Sequence, residues 1–157
     1  MSMPTADQPT DRSLGRLSDL EREALKERAA ELKTEAKRRG RGSGKSAAEE
    51  ADVVAKIAAM PDPDRQLASL VHDIVRVEAP DLSPKLWYGQ PAYAKDGKVI
   101  CFFRSGAADK ERYSAFGFTP NAALDDSKGL WPTAFAVAEI TGAAEAMIRE
   151  QVRRAAG

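Results

Sequence analysis

The sequence predicts an α+β fold: an antiparallel sheet of four to five strands flanked by helices, with an N-terminal helical extension. All ten aromatic residues fall between Trp87 and Phe135, and the first 86 residues have none. Aromatic and β-branched side chains suit a pleated, half-buried surface, so the sheet belongs in the second half. Apolar residues recur at helical spacing before residue 80 and again at the C-terminus. The strand-like segments between follow one another closely, which favours antiparallel pairing. A length of 157 residues suits one domain with appendages. Residues 1–12 read as a flexible tail, 13–45 as a charged helix plus a glycine-rich linker, and 46–157 as the α+β domain.

The first helix is predicted from about Leu17 to Arg39, opened by a Ser18/Glu21 capping box. Leu25, Ala29, Leu32 and Ala36 form a thin apolar stripe, so the helix can dock on the chain's own core, pair with another chain, or fray. Gly40 to Ser46 reads as a connector. A second helix starts at Ser46, where Glu49 completes another capping box, and buries Val53, Val54, Ile57 and Met60. Pro61 stops it. A third helix takes Asp62 as cap and Pro63 as first residue. Its Leu67, Leu70, Val71, Ile74 and Val75 give the clearest helical rhythm in the chain.

Trp87 to Tyr93 reads as one extended, edge-like segment, because Pro91 has no amide to give a central ladder. Asp96-Gly97 predicts a type I′ hairpin turn. Val99 to Phe103 is apolar at every position, as in a central strand covered on both faces. Tyr113–Phe118 and Thr133–Ile140 follow as strands. The final helix, from Thr141 to Ala156, places Met147, Ile148, Val152 and Ala155 on one face.

Composition removes several function classes. The 24 basic and 24 acidic residues cancel, which argues against a polyanion binder acting through its whole surface. One cysteine, Cys101, excludes an internal disulfide framework, and one histidine, His72, excludes a multi-histidine metal site. No apolar run approaches a membrane span, and the N-terminus has no apolar signal core. A cytoplasmic location is the expectation.

Gly44-Lys45-Ser46 imitates a phosphate-binding loop, but the glycine that motif requires falls on Arg39. The basic run Lys37, Arg38, Arg39, Arg41 and Lys45 suits phosphate contact. A helix C-terminus followed by a solvated linker explains the same charges. No aromatics interleave with them, so base stacking is not expected there. His72 has Ala68 and Arg76 at i−4 and i+4 and reads as a boundary histidine. Cys101, mid-strand, reads as an inert buried thiol. No Gly-x-Ser-x-Gly elbow is present and no catalytic constellation emerges. Glu78, Asp81, Asp125 and Asp126 are the carboxylates that would serve as weak hard-cation ligands. Capping and loop solvation are the plainer account of them. Trp87, Tyr88, Gln90, Tyr93, Phe103, Phe118 and Trp131 are the candidates for an aromatic ligand groove, with core packing as the plain alternative.

Trp87-Tyr-Gly-Gln-Pro-Ala-Tyr93, Asp96-Gly-Lys98, Phe102-Phe103, Phe116-Gly-Phe118 and Trp131-Pro-Thr133 together resemble the YdhG-like domain family. The resemblance covers about residues 48–157. It implies a compact cytosolic α+β domain without established catalysis. Some members of that family are described as frataxin-like intracellular iron chaperones, so iron is the cofactor or cargo the resemblance implies. The residues alone name no function; with the resemblance they lead to a non-enzymatic cytosolic binding protein as the expectation, and an enzymatic role stays open. Three readings stand: iron chaperone by resemblance, interaction or small-molecule module using the aromatic groove, and nucleic-acid contact through the basic linker. A protein partner would be met through the first helix.

Overall fold

The computed structural model describes residues 19–38 and 43–157. In chain order the elements are α1 (Asp19–Arg38), α2 (Ser43–Ala58), α3 (Asp64–Glu78), β1 (Ser83–Trp87), β2 (Gln90–Lys95), β3 (Lys98–Arg104), β4 (Ser114–Phe118), β5 (Ala134–Val137) and α4 (Gly142–Ala156). The strands form one open antiparallel sheet in sequence order, β1 to β5. The α+β architecture is as the sequence predicts. The predicted tail, Ser18, Arg39 and Arg41 lie outside the described residues.

Helix α3 is the centre of the core. Leu67, Ala68, Val71, Ile74 and Val75 are all buried against the sheet. Val53 and Ile57 of α2 and Ile148, Val152 and Ala155 of α4 join the same cluster. Tyr93, Cys101, Phe103, Phe116 and Phe118 supply the sheet's side of it. Glu78 at the end of α3 takes Arg149 at 3.2 Å and Arg153 at 3.1 Å, which ties α3 to α4.

Several expectations change. Helix α2 begins at Ser43, so Gly44, Lys45 and Ser46 are helical residues. Ser46 is no cap, and the connector before α2 shrinks accordingly. Asp62 does not cap α3: its carboxylate meets the Arg65 guanidinium at 2.6 Å, while Pro63 occupies the cap position without a side-chain bond. Val54 and Met147 are half exposed, because each lies beside its helix's buried stripe.

The Trp87–Tyr93 segment is a hairpin. Tyr88 and Gly89 both have positive φ, +51° and +75°, as a type I′ turn requires. It joins β1 to β2, so β2 is an inner strand. Pro91 is tolerated there because pairing of β2 with β3 starts only at Ala92, so the missing amide costs no bond to β3. Asp96 and Gly97 make the second such turn, as their sequence predicts.

In β3 the pairing steps from Cys101 to Val99 while β2 advances by one residue, from Tyr93 to Ala94. Ile100 is the extra residue of this bulge. Ile100 and Cys101 therefore both belong to the helix-side core, and Val99 turns to the opposite face beside Trp87. Val99, Ile100, Cys101 and Phe103 are buried, and Phe102 is intermediate.

Candidate functional site

The open face of the sheet carries the most accessible aromatic cluster. Trp87 ends β1 directly opposite Gln90, and Lys85 stands opposite Ala92 on the same face. Ala92 pairs with Phe102, which pairs with Gly117. The Phe102 ring lies flat over Gly117, where an added Cβ would come within 2.5 Å of ring carbon Cζ. A side chain at 117 would therefore force the Phe102 ring to move. The Trp87 and Phe102 rings stand 5.5 Å apart, and Tyr88 meets Trp87 edge-on at 5.0 Å. Arg28 of α1 lies 5.6 Å from the centroid of Tyr88, a cation–π distance.

A groove of about 360 Å³ opens beside Trp87, lined by Arg28, Lys85, Gly97, Val99 and the Thr119-Pro120-Asn121 turn. The turn is held in place because Thr119 and Asn121 both donate to the Val99 carbonyl. The groove thus has an indole wall, two cations and a fixed rim. Trp131 lies in a neighbouring groove of about 420 Å³, with Phe118, Leu124 and Asp125, and the two grooves share Thr119 and Pro120.

The predicted aromatic set divides between the sheet's two sides. Because Trp87 faces Gln90 across the turn, Tyr93 is an odd step away and points to the helices. Tyr93 and Phe103 are fully buried and line no groove. Trp87 lines the open-face groove, and Trp131 and Phe118 line the neighbouring one. Tyr88 and Gln90 border a small cavity between α1, α2 and the β3–β4 loop.

The buried Tyr93 hydroxyl needs a partner, and His72 Nδ1 lies 2.9 Å away. The opposite nitrogen, Nε2, faces Glu50 at 3.8 Å, and on that ground we assign the proton to Nε2, with Nδ1 accepting from the tyrosine. Arg76 meets the same Glu50 oxygen at 3.2 Å. Burial lowers the His72 pKa, against the pull of Glu50 and Asp73. Burial likewise raises those of Tyr93 and Cys101, so neither ionises near neutrality. This chain of groups satisfies buried polar atoms, and among the described residues none of its members lines the grooves beside Trp87 and Trp131 or the small cavity beside Tyr88.

Asp64 was not singled out by sequence reasoning, yet it is a buried carboxylate. It accepts from the Ser105 hydroxyl at 2.6 Å and the Ala107 amide at 3.0 Å. Burial alone would raise its pKa, but the hydrogen bonds from Ser105, Ala107 and Ser114 overcome that and hold it below the usual value. Asp64 thereby pins the β3–β4 loop to the start of α3. Ser105 also accepts from the Ala108 amide, and no histidine stands by as a base, so the pair reads as a loop clasp.

The four candidate metal carboxylates do not assemble. Glu78 is held by two arginines, Asp81 and Asp125 are exposed, and Asp126 accepts from the Lys128 amide in its own turn. Among the described residues no group of three or more His, Cys, Asp and Glu comes together for a metal ion. Of the basic run, Lys45 lies in α2, and Lys37 and Arg38 end α1. Among the described residues no helix is long and apolar enough to cross a membrane.

No family model matches the chain, and no curated protein and no solved structure matches it either.

Proposed function

We propose that this protein is a non-enzymatic cytoplasmic binding module whose open sheet face holds a planar, negatively charged small molecule. The observation that carries this reading is the Trp87 groove, where an indole wall and the Arg28 and Lys85 cations border the same space of about 360 Å³. A ring stacks on Trp87 and its anionic group faces the two cations. A volume of about 360 Å³ falls within the range of small-molecule sites. Iron delivery is implied by the family resemblance, but no feature of the geometry favours it over this reading.

Trp87 and Trp131 are the two tryptophans of the chain, so Trp131→Phe leaves Trp87 as a lone fluorescent reporter. Adenosine 5′-monophosphate and benzoate are the probes. Saturable quenching by either, weakened by salt and by Lys85→Ala, is the expected result. A flat titration with both up to millimolar concentration overturns the proposal.

A further inference from the structure

Helix α1 docks on the domain through acidic side chains. Glu31 accepts from two successive backbone amides of the β1–β2 turn, Tyr88 at 3.0 Å and Gly89 at 2.6 Å. One turn earlier, Glu27 meets the ammonium of Lys56 on α2 at 3.5 Å. The Glu27 carboxylate also lies against Gly89 so closely that an added Cβ would overlap it. Positive φ at both turn residues aims their amides toward one side, which makes an anion-binding concavity. Apolar anchoring among the described residues is slight: Leu25 and Leu32 of α1 are each 50 % exposed, and only Leu20 and Ala24 line the small cavity beside Tyr88.

We propose that the Tyr88-Gly89 turn and Lys56 form a carboxylate receptor for an acidic helical segment of a partner protein, and that α1 is the chain's own displaceable occupant of it. The recognised chemistry is two carboxylates four residues apart on one helix face, the spacing of Glu27 and Glu31. One carboxylate takes the paired turn amides in charge-assisted hydrogen bonds, and the other takes the lysine. Withdrawal of α1 also removes Arg28 from Tyr88 and from the Trp87 groove, so partner binding alters that groove. The receptor itself does not depend on the small-molecule reading.

The test uses the full chain, its Glu27→Gln/Glu31→Gln variant, and a synthetic peptide of residues 19–38. The peptide is expected to bind the variant roughly tenfold tighter than the unmodified chain, as removal of an internal competitor about nine-tenths populated would produce. A peptide with both glutamates changed to glutamine should bind neither. In the unmodified chain, excess wild-type peptide should shift the amide resonances of the released α1 and leave those of α3 unmoved. Equal affinity for both chains, no binding to the variant, equal binding by the glutamine peptide, or unmoved α1 amides would each overturn the proposal.

Discussion

Helices α1 and α3 serve the same domain and are held by opposite physics. Helix α3 buries Val71, Ile74 and Val75 completely, and its position follows from the area those side chains remove from water. Helix α1 leaves Leu25 and Leu32 half exposed and rests mainly on Glu27 and Glu31. Apolar burial is spread over many contacts and cannot be undone one contact at a time. A few polar contacts can exchange with another ligand offering the same groups. The difference makes α3 part of the folding unit and α1 a separable element upon it.

The largest expected effect lies on the α3 side. Ile74→Ala should cost about 2–5 kcal/mol of global stability, since the side chain is fully buried at the centre of the core. Chemical denaturation measures it, and a loss within experimental error would mean that α3 is not the core helix. Glu31→Gln comes next and acts locally. It should speed amide exchange of Tyr88 and Gly89 by about tenfold, corresponding to about 1.4 kcal/mol, and barely move the denaturation midpoint. An equal effect at Gly97, whose turn has no neighbour within 4 Å of its added Cβ, would remove the distinction between the two turns.

Acid probes α3 again. Burial lowers the His72 pKa, so below the ordinary value of 6.5 the unfolded chain takes up a proton that the folded chain refuses. This contribution to stability is complete above pH 6.5 and is lost as pH falls through the folded value. Denaturation midpoints should decline over that window, and His72→Gln, which keeps an acceptor for Tyr93, should flatten the decline. An unchanged slope would place His72 in solvent. The smallest effect belongs to α1: Leu25→Gln and Leu32→Gln should each fall within about 0.5 kcal/mol of the unmodified chain. A larger loss in either would show that the stripe is covered.

The same contrast explains what was legible in the sequence. The apolar rhythm of α3 reports burial directly. The Val99–Phe103 run reports an inner strand but not the expected cover on both faces. The bulge puts Ile100 with Cys101 and Phe103 on the helix side, while Phe102 lies on the open face. Asp96-Gly97 carries its turn chemistry in its own residues. Tyr88-Gly89 does not, because tyrosine is no turn former, and the carboxylate that meets this turn lies 57 residues upstream. The Leu25–Ala36 stripe suggested an apolar docking face, whereas the long-range bonds of Glu31 decide which side of α1 meets the domain. Asp64 is buried by a loop 41 residues later in the chain, so its position in the first turn of a helix gave no local sign of burial. Trp87 was visible as a groove candidate, but its separation from Tyr93 and Phe103 depends on the register across the Tyr88-Gly89 turn.

Native-state hydrogen exchange across a denaturant series, followed residue by residue in the unmodified chain, tests the central claim most directly. If α1 is a polar-docked strap, the amides of α1 should open together with Tyr88 and Gly89 in one low-energy step. The α3 amides at Val71 to Val75 should exchange only through global unfolding. Exchange of α1 and the β1–β2 turn on the same isotherm as α3, or on two unrelated isotherms, would contradict it.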